Sequence, residues 1–167
     1  MSEAARTTIT LLVLCAVILL AAVWGWGAAT EPLPAKVDRP ICVDTPVGAG
    51  EPVYPAQVTV SVYNASNRSG LARRTMQELR DAGFAEGQSG NATRVRVPEV
   101  AIWTDRPTNP AVQLLASHLG PGVEIEVRKG LGAGVTVVVG NRFDGVVEGQ
   151  PSATAPEDTA ICSPPVA

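Results

Sequence analysis

Apolar and polar positions fall into three regimes along the chain. The first is continuous. Residues 7–26 carry no charged side chain and are mostly Leu, Val, Ile and Ala. At about 1.5 Å of rise per residue, a helix of that length crosses the ~30 Å hydrocarbon core of a bilayer. Trp24 and Trp26 close the run, where interfacial aromatic side chains lie. The second regime has no period. Residues 27–56 hold Pro32, Pro34, Pro40, Pro46, Pro52 and Pro55 with Gly48 and Gly50, which predicts a semi-extended spacer. Residues 148–167, with Pro151, Pro156, Pro164 and Pro165 among Ser, Thr and Ala, predict an irregular tail. The third regime, residues 57–147, is periodic and predicts the folded domain.

Within it, Val58, Val60 and Val62 alternate with Thr59, Ser61 and Tyr63, the pattern of a half-buried strand. A turn over residues 64–70 leads to a helix with Ser69 as N-cap and Leu71, Ala72, Met76 and Leu79 on its inner face. Gly83 suits a left-handed C-terminal residue, after which Phe84 folds back onto Leu79. Residues 94–97 alternate Arg with Val and predict a strand that Pro98 ends. Residues 100–103 predict another. A second helix is punctuated by Asn109 as N-cap, Pro110 as first residue and Gly120-Pro121 as stop, with Val112, Leu115 and Leu119 as its stripe. Val123, Ile125 and Val127 alternate with Glu124, Glu126 and Arg128. Residues 135–139 form a continuous apolar strand, buried on both faces. The order β-α-β-β-α-β-β predicts a small α/β domain of the α+β two-layer type, related to split βαβ folds, with helices on one face of a mixed or antiparallel sheet.

Charge and cysteines add the setting. The formal net charge of −3 does not mark a nucleic-acid binder. Arg6 and the amino terminus precede the apolar run, opposed by Glu3, and Glu31 follows it. This favours a cytoplasmic segment 1–6, a transmembrane helix 7–26 and an extracytoplasmic remainder, a single-pass protein of the cell membrane. Cys42 and Cys162 lie outside the run, on either side of the periodic region. Such a pair suits a disulfide in an oxidising compartment, the alternative being two unpaired thiols in the tails. Cys15, inside the run, reads as a small apolar residue. Gly27-Ala28-Ala29 offers a small-residue cleavage site, so a cleaved signal peptide is the alternative to an anchor. The length of the apolar stretch and the single arginine before it favour the anchor.

Candidate chemistry is sparse. His118 is the only histidine, so no common metal set is complete and no metal is expected. No Gly-x-Ser-x-Gly elbow occurs, and Glu124 and Glu126 share the side of a strand that is usually solvated. The expectation is a chain that is not an enzyme and takes no cofactor. Residues 130–134, Gly-Leu-Gly-Ala-Gly, lie between two strands rather than before a helix, and so predict a flexible hairpin connection instead of a phosphate loop. The turn after the first strand does lead into a helix, whose first amides can meet an anion or a sugar hydroxyl. The candidate binding residues are therefore Asn64, Ser66, Asn67, Arg68, Ser69, Gly70 and Arg73. The plainer reading is a turn whose Asn, Ser and Gly supply caps and permissive backbone angles.

Val58-Thr-Val-Ser-Val-Tyr-Asn-Ala-Ser66, Ser69-Gly-Leu-Ala72, Leu79-Arg-Asp-Ala-Gly-Phe84 and Gly134-Val-Thr-Val-Val-Val-Gly-Asn141 together resemble the LytR C-terminal domain family. The resemblance covers about residues 57–142 and rests on the order of strand, Asn-rich turn, Gly-Leu-Ala helix start and Gly-Phe helix end. The turn departs from the family, reading Asn-Ala-Ser where many members have Asn-Gly-Ser or Asn-Gly-Thr. Members often follow a LytR-CpsA-Psr catalytic domain that attaches polymers to peptidoglycan, which the roughly 30 residues between apolar run and domain cannot hold. The arrangement resembles the short, stand-alone actinobacterial cell envelope integrity type. The resemblance implies a non-catalytic role in envelope integrity, by binding cell-wall glycan or a polymer-attaching envelope protein. A signal-cleaved, secreted binding or enzyme-regulating protein is the alternative. An exported domain does not meet DNA, so no nucleic-acid partner is expected.

Overall fold

The computed structural model describes residues 3–30 and 40–165. The chain divides into two units, Met1–Arg39 and Pro40–Ala167. In the first, helix α1 spans Glu3–Thr30. Its window Ile9–Trp26 has a mean hydropathy of 2.5 and is not buried against protein. A helix that is apolar all round suits a membrane span, because it has no polar face to give to water. Cys15 is exposed and unpaired on it. Part of the expected spacer, residues 31–39, lies outside the described residues.

The second unit is built on a five-stranded sheet. Its strands are β3 (Thr59–Asn64), β4 (Ala85–Asn91), β5 (Val100–Thr104), β6 (Val123–Val127) and β7 (Val135–Val139), in the spatial order β4-β3-β7-β5-β6. Helix α2 (Leu71–Asp81) connects the parallel pair β3 and β4, and α3 (Pro110–His118) connects the parallel pair β5 and β6. Strand β7 lies between the two βαβ units, parallel to β3 and antiparallel to β5. The sheet is therefore mixed, and the order β-α-β-β-α-β-β holds.

One face of the sheet buries Val60, Val62, Val100, Ile102, Val137 and Val139 with Leu71, Met76, Leu79, Val112 and Leu115 from the helices. Each fully buried Leu or Val contributes roughly 1.5–3 kcal/mol relative to exposure. Local signals act as their residue types dictate. The Phe84 amide donates to the Leu79 carbonyl at 3.0 Å and the Gly83 amide to the Arg80 carbonyl at 2.9 Å, with Gly83 at φ 94°. That is the paired-bond Schellman ending, which needs a left-handed residue. Asn109 caps α3 by accepting from the Ala111 amide.

Several expectations are corrected. Residues 94–97 are not a strand. Val95 and Val97 lie flat on the sheet's second face, covering Ala101, Trp103 and Val138. The strand is β4 instead, a polar, glycine-containing segment that its backbone ladder with β3 defines. Ile125 and Val127 are exposed by 37% and 74%, because β6 is the sheet's edge. The glycine segment 130–134 is no hairpin, since β5 separates β6 from β7. It packs on the second face, where Ser61 Oγ donates to the Ala133 carbonyl at 2.6 Å and Tyr63 OH to that of Leu131 at 2.9 Å. Gly134 has φ 69°, and a Cβ there would collide with the Thr59 carbonyl.

The spacer 27–56 and tail 148–167 also differ from expectation. Within them, β1 (Val43–Val47) pairs antiparallel with β9 (Thr159–Ser163), and β2 (Pro52–Val53) with β8 (Ala153–Thr154). Val47, Val53, Ala153, Ala155 and Ile161 join the main core. Prolines are compatible with such ribbons, because each strand of a two-stranded pair keeps a free edge where a missing N–H costs no ladder bond. Cys42 and Cys162 form a disulfide, with Cα atoms 5.4 Å apart and a separation of 120 positions in sequence.

Candidate functional site

Strands β3 and β4 run parallel and end together, Asn64 opposite Asn91. The chain leaves β3 through a turn and enters α2 at Leu71. A cleft opens where the two strand ends meet the helix start, lined by Asn64, Gly70, Ala72, Arg73, Ser89, Gly90 and Asn91.

The turn is held by its own polar groups. Asn64 Oδ1 accepts from the Ser66 amide at 2.8 Å and from Ser66 Oγ at 2.6 Å, while Asn64 Nδ2 donates to the Arg68 carbonyl at 2.8 Å. Ser66 Oγ accepts in turn from the Arg68 amide at 3.0 Å. The Asn67 amide donates to Asn141 Oδ1 at 3.1 Å. The Arg68 guanidinium donates to the Phe143 carbonyl at 2.6 Å and the Asn141 carbonyl at 3.3 Å, bracing the exit from β7. Ser69 is not the cap of α2. Gly70 holds that position in a left-handed conformation, φ 76°, and no side chain caps the helix. An uncapped first turn leaves donors and the positive end of the helix dipole for a ligand.

Of the seven candidates, Asn64, Gly70 and Arg73 line the cleft, and Arg73 is exposed there. Ser66 and Arg68 shape the turn, while Asn67 and Ser69 are exposed on its outside. Ser89, Gly90 and Asn91 also enter the cleft, from outside the strand-to-helix turn. Their one signal was position: a parallel partner of β3 must end beside Asn64.

His118 is 6% exposed. Its Nδ1 lies 3.0 Å from the Leu114 carbonyl, which can only accept, so Nδ1 carries the proton in that bond. Its ring meets Phe84 edge-on, 5.0 Å between centroids. Among the described residues, no three or more His, Cys, Asp or Glu side chains group to hold a metal.

Comparison with known proteins follows the same residues. Residues 57–143 match the family described as LytR cell envelope-related transcriptional attenuator. Among solved structures, the chain is similar to the soluble domain of a conserved hypothetical secreted protein from Mycobacterium marinum, an Rv2700 ortholog. Identity is 24%, the TM-score is 0.48, and 60% of this chain and 78% of that one are covered. It is also similar to the C-terminal domain of RV0431, at 23% identity and a TM-score of 0.35, covering 66% and 89% respectively. No curated protein matches. The family match takes in more than half of the 167 residues, from just before β3 to the turn after β7, and the chain belongs to this family of domains associated with the cell envelope.

Proposed function

We propose that this protein is a non-catalytic module, tethered outside the cell membrane by α1, which supports the envelope by binding an anionic, hydroxyl-rich wall polymer in the cleft at the start of α2. The cleft carries this reading. It joins an uncapped helix start to the carboxyl ends of two parallel strands, with Asn64, Arg73, Ser89 and Asn91 around it. Amides at a helix N-terminus favour anions, and crevices beyond the carboxyl ends of strands are where open α/β sheets take ligands. Amide and hydroxyl side chains match sugar hydroxyls, and a guanidinium matches phosphate or carboxylate. The envelope association of the family and the apolar α1 agree with that setting. A polymer-attaching envelope protein is the alternative occupant. The polar lining favours the glycan.

The test is titration of full-length protein in detergent micelles with purified wall-polymer fragments. Arg73→Ala and Asn91→Ala should each weaken binding about tenfold, in line with losing a hydrogen bond to a charged or polyhydroxy ligand, with the melting temperature unchanged. Parent-like binding by both variants would place the ligand elsewhere. No binding by the parent would favour a protein partner.

A further inference from the structure

Strand β6 ends the sheet, and among the described residues no strand adds to its outer edge. It pairs with β5 in an unbroken register, Val100↔Val123 to Thr104↔Val127, and with no other described strand. The Arg128 amide donates to the Thr104 carbonyl at 3.0 Å, extending that ladder by one residue. In a parallel pair, alternate residues direct both backbone groups to the same neighbour. Glu124, Glu126 and Arg128 therefore turn theirs toward β5, and Ile125 and Val127 turn theirs outward. The same two residues are the exposed apolar ones. Natural edges are usually blunted by proline, a bulge or an inward charge. The opposite edge, β4, is irregular, with a register shift against β3 and two glycines. Strand β6 has neither bulge nor proline.

Charge selects the occupant. Glu124 and Glu126 lie beside Ala101 and Trp103 on the sheet's second face, and Arg128 stacks over the Trp103 ring at 4.0 Å. An antiparallel partner must set outward-facing residues opposite one another. For two copies of this strand, a two-fold centred on Ile125 sets Glu124 against Glu126 twice, and one centred on Glu126 sets Glu124 against Arg128 twice but Glu126 against itself at the centre. A two-fold centred on Val127 sets Glu126 against Arg128 twice, with no like-charge pair. Val127 then faces its counterpart as a hydrogen-bonded pair, covering the most exposed apolar side chain of the edge. We infer that β6 is a self-association edge, on which a second copy of this chain adds antiparallel about Val127 to make a continuous ten-stranded sheet. This goes beyond the cleft and does not depend on it. One strand pair buries less than a standard interface, so the dimer is a weak one.

The test uses the full-length chain in expressing cells, with Cys15→Ala to remove the unpaired thiol. Val127→Cys should then give a disulfide-linked dimer under mild oxidation, because a hydrogen-bonded antiparallel pair sets Cα atoms about 5.5 Å apart, within disulfide reach. Gln77→Cys, on the outer side of α2, should not. Adding Glu126→Arg should lower the dimer yield about tenfold, since two attractive cross-strand pairs become repulsive. Adding Arg128→Glu as well should restore it, with circular dichroism confirming that each variant is folded. An increase with Glu126→Arg would favour the Ile125 register and overturn the proposal. So would a crosslink to a different protein, a yield indifferent to the charge swap, or no dimer at all.

Discussion

Two arginines five positions apart do different work, and their partners show which. The Arg68 guanidinium reaches two backbone carbonyls beyond β7, whereas Arg73 is exposed at the cleft. Hydrogen bonds from a charged donor contribute about 1.5–3 kcal/mol each at most. Arg68→Ala should therefore lower unfolding stability by roughly 1–3 kcal/mol, read as a lower urea midpoint at unchanged slope. Arg73→Ala, which leaves only solvent-facing positions changed, should stay within about 0.5 kcal/mol of the parent. Equal effects from the two substitutions would remove the distinction between brace and ligand contact. His118 belongs with Arg68: its ring and its Nδ1–H are used in packing against Phe84 and Leu114.

Among the elements, the ribbons formed by the two ends of the domain are the ones held by contacts across the whole length of the domain. Strands β1 and β9 are brought together from opposite ends of the sequence, and Cys42–Cys162 locks them. Asn109 fastens the ribbon to α3, since its Nδ2 donates to the Ala160 carbonyl at 2.9 Å while its Oδ1 caps the helix. Closing a loop with 120 residues of separation is worth about 4–5 kcal/mol on chain-entropy grounds. Reduction should lower the melting temperature markedly and expose residues 40–53 and 153–165 to protease before the five-stranded sheet. Without reductant, thiol reagents should modify Cys15 alone. Labelling of Cys42 and Cys162 in untreated protein would show that the bond is not formed.

For the whole molecule, the question is whether α1 stays attached. Its apolar window Ile9–Trp26, 18 residues long, exceeds a signal core of about 7–15 apolar residues and is apolar on every side. The expected outcome is a protein retained in membranes after carbonate washing, with its original amino terminus. Amino-terminal sequencing that finds a mature species beginning near Thr30 would replace the anchor by a cleaved leader. The cleft and the β6 edge both lie within the second unit, so either outcome leaves them intact.

What the sequence determined by itself are features whose causes lie within a few residues of one another. The uncharged run of α1, the Gly83-Phe84 ending of α2, the Asn109-Pro110 start of α3 and the doubly buried β7 are of this kind. In each, a side chain's shape or its bond to a near neighbour sets the backbone. The family resemblance rests on the same short stretches. Only the tertiary structure decided the rest. Strand β4 has no apolar alternation, and its ladder with β3 makes it a strand. Residues 94–97 have the alternation, yet the space open to their valines is the sheet's second face. The proline-rich ends become ribbons because each supplies the other's hydrogen bonds across the whole length of the domain. Ile125 and Val127 follow the pattern of buried residues but stay exposed, because exposure depends on strand order. The cleft divides in the same way. Asn64, Gly70 and Arg73 were legible from a strand-to-helix turn, while Ser89 and Asn91 reach it through parallel pairing, a contact that no local spacing encodes.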